Sequence, residues 1–142
     1  MSIALWVHTL EGRKLTSHQD DHILMQKFVS PLDTLCAKSE VPPLSSFVDY
    51  TDAKANMSED TDGSGEIDPE TGWSYGIDDM TWFSAMDGLS TLSALRARLI
   101  AGNADGIPPD KVSRLIVELD SCIAKLTEPA ARGAKFHLAL VL

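Results

Sequence analysis

Two segments far apart in the chain, Ser2–His8 and Lys135–Leu142, are apolar on both of their alternating faces. In the first, Ile3, Leu5 and Val7 point one way and Ala4, Trp6 and His8 the other. In the second, Phe136, Leu138, Leu140 and Leu142 oppose His137, Ala139 and Val141. A strand with two apolar faces needs cover on both sides. The pattern therefore predicts that these segments lie together in one sheet, with the chain between them supplying the cover. A length of 142 residues supports one core and no second one. The expected fold is an α/β (α+β) single domain over residues 1–142. A small sheet including both terminal strands is packed by two or more helices, in two layers or three.

The intervening sequence supplies those helices. Leu89, Leu92, Leu95 and Leu99 repeat at threes and fours, predicting a helix from Ser84 to about Ile100, with Ser84 as N-cap and Asp87 three residues on. Val112, Leu115, Ile116, Leu119, Cys122, Ile123 and Leu126 form the longest apolar stripe, opened by Pro108-Pro109 and ended by Pro129 and Gly133. After the Glu11-Gly12 turn, Arg13–Leu15 reads as a short return strand. Thr16–Asp21 collects helix-start residues, with Thr16 and Gln19 at capping-box spacing. The apolar positions from Ile23 to Cys36 then predict a helix kinked or restarted at Ser30-Pro31.

Charge is distributed very unevenly. The stretch from Asp49 to Asp79 holds ten carboxylates against the single Lys54, a net −9 that equals the charge of the whole chain. Four glycines and Pro69 in the same stretch predict a long acidic loop over 51–79. Phe47 and Tyr50 pin it at one end, Trp82 and Phe83 at the other. Trp73 and Tyr75 inside it either face a partner or fold back onto the body. A chain so acidic is a poor ligand for nucleic acid or an anionic membrane surface, and its natural complements are a basic protein or a cation.

Three constellations carry potential chemistry. Asp60–Asp68 (DTDGSGEID) resembles the calcium loop of the EF-hand family over nine positions. The resemblance implies calcium ligation by Asp60, Asp62, Ser64, Glu66 and Asp68 around the turn at Gly65. The twelfth position, where that family carries a bidentate Glu, is Thr71, and Glu70 stands one residue early. His18 and His22 are four apart, which on a helix makes half a zinc site. His8 and His137 fall on the two terminal strands, where they can face each other across the ladder, in a structural role or beside a catalytic cleft. Cys36 and Cys122 follow no metal-ligand spacing and read first as buried thiols of a reducing cytoplasm, with a disulfide or a nucleophile as the alternatives. The N-terminal segment has no basic region or cleavage site, and no apolar run approaches the ~20 residues that span a bilayer.

The segments FVDYTD (Phe47–Asp52), IDDMTWF (Ile77–Phe83), DGLSTLSALRARL (Asp87–Leu99), ELDSCIAKL (Glu118–Leu126) and KFHLALVL (Lys135–Leu142) resemble a family of short uncharacterised bacterial proteins of unknown function. The resemblance implies a cytoplasmic single domain and brings no activity or catalytic signature. Taken together, these features lead us to expect a non-enzymatic protein-binding module that presents an acidic surface to a basic protein partner, as immunity-type inhibitors do. Its contact residues would be Asp60, Asp62, Glu66, Asp68, Glu70, Trp73 and Tyr75. A calcium-binding protein is the first alternative and an enzyme built around His8 and His137 the second. Oligomeric state is left open.

Overall fold

The computed structural model describes residues 3–57 and 67–142. β1 (Ala4–Glu11) and β5 (Lys135–Val141) pair antiparallel along their whole length, from Ala4 opposite Val141 to Leu10 opposite Lys135. The expected union of the two doubly apolar segments is therefore the centre of the sheet. β2 (Lys14–His22) returns antiparallel along the other side of β1. Two-residue strands share the outer edge of β5. β3 (Val48–Asp49) runs parallel to it at Leu138 and Ala139, and β4 (Phe83–Ser84) antiparallel at Phe136 and Lys135. The order is β2-β1-β5-β3, with β4 also on β5.

Four helices cover one face: α1 (Ile23–Lys27), α2 (Val29–Lys38), α4 (Ala85–Ile100) and α5 (Val112–Ala131). Leu5, Val7, Phe136 and Leu138 of the sheet join Leu35, Leu92, Leu95, Leu119 and Leu126 in one buried cluster. α4 comes so close to the sheet that a Cβ on Gly88 would lie 2.1 Å from Phe136 Cζ. Only a residue without a side chain fits there. α3 (Thr51–Met57) follows β3 directly and lies against β5. None of the helices among the described residues is long and apolar enough to cross a membrane.

Several local expectations are corrected. Thr16–Asp21 does not start a helix, because β2 continues to His22 and its pairing with β1 outweighs the capping residues. The cap of α1 comes from afar: the Glu118 carboxylate on α5 accepts from Leu24 N (3.1 Å) and Met25 N (2.9 Å). The restart between α1 and α2 falls at Phe28, ahead of Ser30-Pro31. α5 continues through Pro129 to Ala131 and ends before Gly133, whose φ of 71° is left-handed. The stretch 51–79 is not loop throughout: Thr51–Met57 is α-helical and Ile77–Asp79 forms a 3₁₀ turn. Tyr50, expected to anchor that stretch, is exposed, whereas Phe47 is buried against Phe83 and Phe136.

Candidate functional site

The pairing of β1 with β5 sets His8 directly opposite His137 on the face away from the core helices. Both are buried, His8 at 2% and His137 at 0% exposure. His8 Nδ1 and His137 Nε2 are 3.0 Å apart, and His137 Nδ1 lies 2.9 Å from the Thr81 carbonyl oxygen. A carbonyl can only accept, so His137 Nδ1 carries a hydrogen. In the neutral ring His137 Nε2 is then the acceptor, and His8 Nδ1–H donates to it. His8 Nε2 is left as a bare lone pair. It has no hydrogen-bond partner among the described residues, and neither has the buried Ser17 Oγ, although Ser17 stands opposite His8 in the β1–β2 ladder.

The histidines lie between two tryptophans. Trp73 stacks on His8 with ring centres 5.2 Å apart and planes at 25°, and Trp82 stacks on His137 at 4.1 Å and 28°. Burial is the main force lowering the His8 pKa, to about 3, with smaller effects from His137 and His18. Burial also lowers the His137 pKa, opposed by the Asp49 carboxylate and the bond to Thr81. Both rings are therefore neutral at ordinary pH.

The segment carrying the two tryptophans is shaped by its own polar groups. The Thr71 hydroxyl donates to Tyr75 O and accepts from Trp73 N, and Asp68 N donates to Trp73 O. Gly72, at a φ of 74°, donates to Asp68 O. The Asp79 carboxylate accepts from Gly76 N. Arg13, at the β1–β2 turn, clamps the segment from outside. Its Nη2 is 2.5 Å from Glu70 Oε1 and its Nη1 2.8 Å from Asp78 Oδ1. These bonds lower the pKa of both carboxylates. Asp49 is buried and accepts from Thr51 N, Thr51 Oγ1 and Thr81 N, tying β3 to the strip just before Trp82. No sequence pattern pointed to Ser17 or Thr81. Ser17 comes to the site through the β1–β2 register and Asp49 through β3, whereas Arg13 stands at the β1–β2 turn and Thr81 just ahead of β4.

Of the acidic contact residues expected from sequence, Asp60, Asp62 and Glu66 lie outside the described residues, as does Ser64 of the calcium set. Asp68 is half-buried and shapes its own turn, its Oδ1 accepting from Glu70 N at 2.8 Å. Trp73 and Tyr75 fold back onto the body. The Tyr75 hydroxyl donates to Asp52 Oδ1 at 2.6 Å, and burial followed by that bond raises its pKa. All six described carboxylates of the stretch thus accept a hydrogen bond from within the chain.

His18 and His22 do not form half of a zinc site, because the helix that would align them is a strand. His22 Nδ1 lies 2.8 Å from Leu5 O and Nε2 3.1 Å from Ser121 Oγ, so both nitrogens are engaged. Among the described residues no group of three or more His, Cys, Asp or Glu is placed to hold a metal ion.

Two open clefts flank the β1–β2 turn. One of about 600 Å³ lies between Arg13, Asp78, Trp82 and Lys135, and one of about 640 Å³ between Lys14, His18, Lys125 and Glu128. Neither of these two clefts is lined by His8 or His137. The chain matches no family model, no curated protein and no solved structure.

Proposed function

We propose that the chain is a non-enzymatic protein-binding module that turns an acidic surface toward a basic protein partner, in the manner of an immunity-type inhibitor. The observation that carries this reading is the coincidence of charge and anchorage. The stretch with the entire net charge is also the stretch whose described part is fastened to the sheet, by Trp73 and the Arg13 clamp within it and by Trp82 just beyond it. A charged surface on a fixed base steers a partner and loses little entropy on binding. Because Glu70 and Asp78 are the described carboxylates of the stretch paired with a cation, Arg13, the reading puts the main electrostatic contact on Glu59, Asp60, Asp62, Glu66 and Asp68. Glu70 would sit at its edge, with Trp73 and Tyr75 supporting the strip from beneath.

The test compares the wild type with a variant carrying Glu59→Gln, Asp60→Asn, Asp62→Asn and Glu66→Gln. Each is used to capture proteins from the native host, and the retained protein is then purified and its binding measured directly. We expect a basic protein bound by the wild type at low salt, released at about 0.5 M salt, where screening is nearly complete, and bound at least tenfold more weakly by the variant. Equal binding by the two proteins, or no basic protein retained at low salt, would sink the reading.

A further inference from the structure

The lone pair at His8 Nε2, unpartnered among the described residues, points to a property that is independent of what the acidic stretch binds. In the His8–His137–Thr81 chain every other ring nitrogen is already committed. His137 Nδ1–H donates to Thr81 O, and the remaining bond joins the two rings. His8 Nε2 is the one nitrogen able to take a proton without breaking that chain. Both rings are covered by residues of the 67–82 strip, Trp73 on one and Trp82 on the other, and the Thr81 carbonyl belongs to the same strip. We infer that this stacked histidine pair is an acid-sensitive latch holding residues 67–82 on the sheet.

The charges around the pair define how it responds. On β3, Asp49 is the carboxylate facing His137, and it is already accepting three hydrogen bonds. On β2, Ser17 offers His8 only a neutral hydroxyl, while His18, across the sheet, works against a positive charge on His8. On β5, Lys135 stands two residues from His137. The strip's own nearby carboxylates, Glu70 and Asp78, are paired with Arg13, Asp79 accepts from Gly76 N, and Tyr75 is bonded to Asp52 of α3. Among the described residues, a proton added to His8 Nε2 therefore creates a buried cation with no carboxylate of its own. A second proton, on His137, requires the bond between the rings to break. Lifting the strip hydrates both rings and lets both titrate near the ordinary histidine value of about 6.5.

The direction follows from linkage. Groups whose pKa is lowered in the closed state hold the latch fully above the open-state pKa and release it as pH falls below that value. Each histidine favours opening by up to tenfold per pH unit below about 6.5, so the two together approach a hundredfold.

Nuclear magnetic resonance tests both parts. At neutral pH the ring nitrogens of His8 and His137 are expected to report the Nδ1–H form for both, and an Nε2–H form on either would overturn the assignment. Between pH 7 and 4.5, amide protection of residues 67–82, corrected for intrinsic exchange, is expected to fall before that of α4 and α5. The opening constant should rise by more than tenfold per unit. His8→Phe keeps a ring against Trp73 but has no nitrogen to charge, and should reduce the slope to tenfold or less. If His8→Phe does not fold, His137→Gln carries the same expectation. Loss of protection in strip and helices together, or a slope unchanged by the variant, overturns the latch.

Discussion

At the scale of single residues, burial decides which polar groups matter. Asp49 and Arg13 both fasten the acidic stretch to the sheet, but in different surroundings. Asp49 is 4% exposed and satisfies three donors, whereas Arg13 reaches its two carboxylates through water-accessible space. Asp49→Ala leaves three part-buried donors without their acceptor and is expected to cost about 1–3 kcal/mol in denaturant unfolding. Arg13→Ala is expected to cost clearly less than Asp49→Ala, and less still at high salt, since solvent screens the exposed pairs. Equal losses would show that burial does not set the ranking. The facing of His8 and His137 was legible because two strands with histidine on an otherwise apolar face have few places to lie. Ser17 was not legible. It stood among residues that resemble a helix start, and only the β1–β2 register sets it opposite His8.

At the scale of elements, legibility followed pattern length. α4 and α5 are long enough for their apolar stripes to repeat several times, and Ser84 caps α4 by accepting from Asp87 N, as its spacing implied. β3 and β4 are two residues each and carry no period at all. α3 lies in an acidic, glycine-containing stretch whose composition argued for loop, and its place beside β5 is tertiary information. β2 was half legible: its first residues alternate, but its second half is acidic and its pairing with β1 shifts register between His18 and His22. That irregularity, with Asp20 and Asp21 beside it, also makes β2 a poor template for another strand, as an open sheet edge requires. The α4–β5 contact yields a sharp expectation. Gly88→Ala gains up to about 1 kcal/mol of helix propensity but drives a methyl into the Phe136 ring. Overpacking of this kind typically costs up to about 3 kcal/mol, so a clear net loss of thermal stability is expected. A stabilised variant would mean that α4 can move away from the sheet.

At the scale of the whole molecule, the sheet has two unlike coverings. One face carries a continuous apolar core of four helices; the other carries a thin strip of stacked aromatic and imidazole rings held by polar contacts. The core face also encloses Cys36 and Cys122, whose thiol pKa values burial raises to about 11 and about 12. Both are expected to resist thiol reagents in the native protein and to react at once in denaturant, and fast labelling of either in the native state would contradict their burial. The position of β5 has a temporal consequence. It follows the other described strands in sequence and is central in space, with Ala4 finding its partner at Val141. During synthesis β1 can pair only with β2, and β3 and β4 have no strand to join until residues 135–141 leave the ribosome. The apolar faces waiting for that strand must meanwhile be kept from other chains. Because the central ladder joins segments so far apart in sequence, the sheet closes late and nearly all at once.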